Sequence, residues 1–102
     1  MALNNTQLVT VAEITQETFS AVESLASSLN AAQEAAIAAD VVTWNLNRDD
    51  VDVWLSNPSG ANWQAQRLLN AIRERTRKAL GLSLISPEVS GYSTSIPTVG
   101  VF

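Results

Sequence analysis

The chain has 102 residues, 46% of them apolar and 16% charged, which suits one soluble globular domain and is too apolar for a disordered chain. It contains no Cys and no His, which excludes disulfide scaffolds, thiol nucleophiles, imidazole bases, Ser-His-Asp triads and nearly all zinc sites. Ten acidic residues against six basic ones leave a net charge of −4, which argues against a dedicated binder of nucleic acid or anionic membrane.

Residues 1–9 read as a lead. Met1-Ala2-Leu3-Asn4-Asn5 has no basic region ahead of an apolar run, so no signal peptide is expected. No run approaches the roughly eighteen apolar residues of a membrane span, so no membrane contact is expected either.

The body is expected over residues 10–82. From 10 to 40 the spacing predicts one long helix, because Val11, Ile14, Thr18, Val22, Leu25, Leu29 and Ala36 recur at three- and four-residue intervals with no Gly or Pro between them. Glu13 and Glu17 fall opposite that stripe, in what would be the first turns, where carboxylates favour the positive end of the helix dipole. Ser20, Ser24, Ser27, Ala31, Ala35 and Ala38 form a second ridge of small residues. Either another backbone approaches there or these positions simply face water.

From 41 to 55 the period changes. Val42, Trp44 and Leu46 alternate with polar residues, Asn47-Arg48-Asp49-Asp50 supplies turn chemistry, and Val51, Val53 and Leu55 alternate again, so a short β-hairpin insertion is expected. Asn57-Pro58-Ser59-Gly60 then breaks the chain. A second helix is expected over 61–80, with Ala65, Leu68, Leu69, Ile72, Thr76, Ala79 and Leu80 on one face and Gly81 as its C-cap. Trp63 lies off that stripe. Either the helix starts after it and the ring folds back as a cap on the core, or Trp63 is an interface anchor that binds a partner.

Residues 83–102 read as an extended C-terminal docking arm, with Glu88 as its one charge and Pro87 and Pro97 breaking any helix. Tyr92, Ile96, Pro97, Val99, Val101 and Phe102 are the partner-binding candidates within it. Ordering about twenty residues costs roughly 30 kcal/mol, which a small core does not offset, so a partner is expected to supply the surface. Strand addition to an open sheet edge is one way. The fold class is thus mainly α: a two-helix body with a hairpin insertion and an arm.

Charge is unevenly distributed. Residues 1–60 carry eight acids and one base, Arg48, whereas residues 61–82 carry Arg67, Arg73, Arg75, Arg77 and Lys78 with Glu74 alone. Such a split suits head-to-tail contact between identical copies, with Arg67, Arg73, Arg77 and Lys78 as the inter-subunit cations. Pairing within one chain is the other reading. Arg67, Arg77 and Lys78 also suit nonspecific contact with passing DNA, though no base-reading motif accompanies them.

No catalytic, cofactor or metal site is expected. Asn47, Asp49, Asp50 and Asp52 cluster hard oxygen ligands, but a calcium loop started at Asn47 has Asp52 where Gly is required and Pro58 where a bidentate Glu is required. Acid and base roles for the same carboxylates lack a concave site.

A helix bearing Gln33-Glu34-Ala35-Ala36-Ile37, followed by Asp40-Val41-Val42-Thr43-Trp44, a short insertion, and a helix ending Ile72-Arg73-Glu74-Arg75-Thr76-Arg77-Lys78-Ala79-Leu80-Gly81-Leu82, resembles the head-tail connector (adaptor) proteins of tailed bacteriophages. The resemblance spans roughly residues 10–82. It implies a structural protein of the virion neck: a homo-oligomeric ring of about twelve copies between portal and tail or neck proteins, whose C-terminal arm docks on the portal protein. Two other readings stand beside it. One is a small helical module that folds its arm onto a single partner. The other is a secreted helical hairpin of the Trp-X-Gly class, from which Trp44-Asn45-Leu46 and the long spacing between the helices depart.

Overall fold

Asn4 opens the first helix. In the computed structural model, which describes residues 3–84, its side chain accepts from the Gln7 backbone N–H while Gln7 Oε1 accepts from the Asn4 N–H, both at 2.8 Å. This reciprocal capping box starts α1 (Asn5–Thr15), so most of the expected lead is helical. Four further helices follow: α2 (Phe19–Ala26), α3 (Ala31–Leu46), α4 (Arg48–Ser56) and, after a 3-10 turn at Pro58–Gly60, α5 (Trp63–Ala79).

The single helix expected over 10–40 is therefore three. Gln16 adopts the left-handed conformation at φ 61°, closing α1. Thr18 then caps α2 by accepting from the Ala21 N–H at 3.1 Å, and Asn30 caps α3 through a second capping box with Gln33. Thr and Asn offer the backbone local partners that compete with helix continuation. Breaking here also serves the core. A continuous helix of that span would run about 46 Å and carry half its stripe beyond α5, which is about 25 Å long. The breaks instead let Phe19, Val22, Leu25 and Leu29 fold back onto the core with Val11 and Ile14. The small-residue ridge is scattered as a result: Ser20, Ser24, Ser27, Ala31 and Ala35 are exposed and Ala38 half-buried.

The hairpin is not found, and the described residues contain no strand. Residues 41–55 form the last six residues of α3, the Asn47 joint and most of α4. Val41 and Trp44 are buried, as are Val51 and Trp54, whereas Val42, Leu46, Val53 and Leu55 are exposed. The i, i+3 pairs select a helix, because they place both large side chains on one face. The apparent alternation mixed buried Trp44 with its exposed neighbours. Asn47-Arg48-Asp49-Asp50 is a joint between two helices, with Asn47 ending α3 and preceding α4, and Asp49 and Asp50 in the first turn of α4. The body is thus five helices, in place of two helices and a hairpin.

The core joins Val11, Ile14, Val22, Ile37, Val41, Val51, Leu69, Ile72 and Leu80 around Trp44 and Trp54. The two indoles meet edge to face, centroids 6.0 Å apart at 75°. Helix α5 packs against α1, α3 and α4. It starts at Trp63, with Asn62 Oδ1 accepting from the Ala65 N–H at 2.7 Å. It closes in a Schellman motif: Gly81 takes φ 77°, its N–H donates to Lys78 O, and the Leu82 N–H reaches back to Arg77 O at 2.8 Å.

Candidate interaction surfaces

The cations of α5 divide into two sets. Arg73 and Arg77 lie one turn apart and are only 8% exposed each. Arg73 Nε donates to the Ile14 carbonyl at 2.6 Å, and Arg77 Nη1 to the Thr15 carbonyl at 2.5 Å. These carbonyls belong to the last turn of α1, which lacks intrahelical partners and carries the negative end of the helix dipole. Arg77 also pairs with Glu17 at 2.8 Å and bonds the Ser83 carbonyl at 2.7 Å. Arg73 lies 4.5 Å over the Trp54 ring, a cation–π contact. Burial, reinforced by the nearby Arg77 charge and partly opposed by Glu13, pushes the Arg73 guanidinium down to about 10.

Besides Glu17, one more acid of the first half, Asp40, pairs with a cation of α5, the partly exposed Arg75, while Glu13 pairs with Arg48 of its own half. Glu13 Oε1 accepts from Trp44 Nε1 at 2.6 Å and from Arg48 Nη1 at 2.8 Å. Buried Asp40 accepts from Arg75 Nη2 at 2.6 Å and from the Thr76 hydroxyl at 3.3 Å. That hydrogen bond holds Arg75 above its ordinary range despite some desolvation. Glu13 therefore sits in the last turn of α1 and Glu17 just past its C-cap Gln16, not in the first turns expected for them; at this end the dipole disfavours them and basic or N–H partners hold them instead. Two ion pairs among the described residues, Arg75–Asp40 and Arg77–Glu17, join the acidic and basic parts of the sequence within one chain.

Trp63, Arg67 and Lys78 remain outside. Trp63 is the first residue of α5 and 61% exposed, so it does not fold back onto the core. The Arg67 guanidinium lies 5.4 Å from its ring centroid. With Gln64 and exposed Leu68 they line a shallow recess of about 400 Å³. Lys78 is exposed in the last turn of α5. Tyr92, Ile96, Pro97, Val99, Val101 and Phe102 lie outside the described residues.

A second open recess, of about 230 Å³, lies at the joint of α3 and α4 and is lined by Asn45, Leu46, Asn47, Arg48, Asp49 and Asp50. Leu46 is 81% exposed there. Sequence reasoning placed Leu46 in a hairpin and so missed it. The signal was its position three residues past Thr43 and two past Trp44, which puts it off the core face once the segment is helical. Among the described residues no three carboxylates converge as a metal site, and Asp49, Asp50 and Asp52 belong to a helix that carries no calcium-loop geometry. No described helix is long and apolar enough to cross a membrane. Comparisons with protein-family models, curated proteins and solved structures return no match for this chain.

Proposed function

We propose that this chain is a structural adaptor of a bacteriophage neck, non-catalytic, which assembles as a ring between the portal protein of the head and tail or neck proteins, with residues 85–102 docking on the portal. The observation that carries the reading is on α5. The helix commits Arg73 and Arg77 to the inside of the chain yet leaves Trp63, a large aromatic, exposed under a stacked Arg67. A tryptophan and an arginine on the surface with no role in the core are the side chains that anchor protein interfaces. The change of composition after residue 84, where Glu88 is the one charge, supports a segment that gains its surface from a partner.

Deleting residues 85–102 tests the reading. Arg77 bonds Ser83 and Leu82 packs on the core, so the cut spares both. The shortened chain is expected to keep its helical circular dichroism and to lose attachment to the portal protein. Attachment that survives the deletion removes the docking role from that segment.

A further inference from the structure

The two recesses carry complementary chemistry. At the α3–α4 joint, exposed Leu46 stands beside Asp49 and Asp50, and neither carboxylate has a cation partner among the described residues. On α5, exposed Trp63 and Leu68 stand beside Arg67, which has no carboxylate partner among the described residues either. Arg48 also lines the first recess but is paired with Glu13 and Asp52, so the charge left unpaired there is negative, whereas that of the second recess is positive. One surface lies at the joint of α3 and α4 and the other on the first turns of α5.

We infer that these surfaces bind each other across copies of the chain: Trp63 and Leu68 of one copy pack on Leu46 of the next, and Arg67 of the first faces Asp49 and Asp50 of the second. Charge selects a second copy as the occupant. The chain is acidic, so most contacts between copies set like charges together. This one instead sets an unpaired cation against two unpaired acids. The Trp63 ring already holds the Arg67 guanidinium in place, which reduces the side-chain entropy lost on contact. A contact between two different patches is heterologous. It repeats head to tail and closes into a ring when its rotation permits. The contact deepens the adaptor reading and rests on it for ring closure. Pairwise association needs no portal.

The patches are small, at the low end of specific interfaces, so association of the isolated chain is weak and depends on concentration and on salt. Sedimentation velocity of the full chain from about 10 μM to about 1 mM covers the range in which such contacts saturate. Trp63→Glu and Leu46→Glu each place a carboxylate in one patch, and both positions are exposed, so circular dichroism should match that of the wild type. The wild type is expected to gain mass with concentration, and each variant to associate at least tenfold more weakly. An equimolar mixture of the two variants is expected to form a species of two copies, because each supplies the patch the other lacks while the altered pair repels. A wild type that stays monomeric to about 1 mM, a variant that associates like the wild type, or a mixture that stays monomeric overturns the inference. Self-association without portal binding retires the adaptor reading and leaves the contact standing; portal binding without self-association retires the contact alone.

Discussion

Arg77 Nη1 lies 2.5 Å from the carbonyl oxygen of Thr15, the last helical residue of α1, and donates a hydrogen bond to it. One turn earlier Arg73 does the same for Ile14. Two cations of α5 thereby close the C-terminal end of a helix about sixty residues away in sequence, supplying both hydrogen-bond donors and the charge its dipole favours.

Arg73→Ala is expected to destabilise the fold by about 2–4 kcal/mol, because it orphans the Ile14 carbonyl and removes the stem packed on Trp54. Arg73→Met keeps the stem and should cost less. Urea unfolding followed by circular dichroism checks the order of the two variants. Equal stability of Arg73→Ala and wild type would contradict it.

The same residue gives a pH dependence. Its folded value, about 10, lies below the higher value of a free guanidinium. Below about pH 10 it is charged in both states and its desolvation cost is constant. Between these values the unfolded chain holds the proton that the folded chain has released, so this contribution to stability rises with pH. The unfolding free energy of the wild type minus that of Arg73→Met should therefore increase from about pH 9.5 to about pH 11. A flat or falling difference would contradict the burial of the charge.

Trp44 is completely buried apart from the reach of its N–H to Glu13. Trp44→Phe is expected to cost about 1–3 kcal/mol through the lost hydrogen bond and the space left behind. In a double-mutant cycle with Glu13→Ala the two losses should be less than additive by about 0.5 kcal/mol or more, since they share that bond. Strict additivity would mean that the contact contributes nothing.

The helical class, the extent of α5 and its Gly81 closure were legible, because a stripe without β-branched runs and a glycine at C′ act locally. The breaks in 10–40 were written as Thr18 and Asn30-x-x-Gln33, caps that a count of apolar spacing overlooks when no Gly or Pro is present. Residues 41–55 were misread because exposed Val42, Leu46, Val53 and Leu55 imitate a strand. Only the pairing of Trp44 with Trp54 shows which face is inside, and that is a tertiary fact. The inward turn of Arg73 and Arg77 was not legible either. Nothing local distinguishes a buried arginine facing a helix end from one facing solvent, whereas Trp63 stood out by its placement off the stripe.

Asn30→Ala separates the broken from the continuous helix. In the capped arrangement the change removes the bond to the Gln33 N–H and costs about 1 kcal/mol. In a continuous helix it would replace a poor helix former with the best one and stabilise. Thermal unfolding gives the sign.

Gly81→Ala is expected to cost about 1 kcal/mol. The added Cβ meets no neighbour, so the loss comes from the positive φ alone. A variant as stable as the wild type would contradict the Schellman closure.

The mass of the native complex most directly tests the proposal that this chain is one subunit of a ring seated on a portal. Native mass spectrometry of the protein with whatever copurifies from its natural source should give about twelve copies against a comparable ring of a larger protein. A one-to-one complex with a single soluble partner would contradict the adaptor reading and replace it with a small helical binding module.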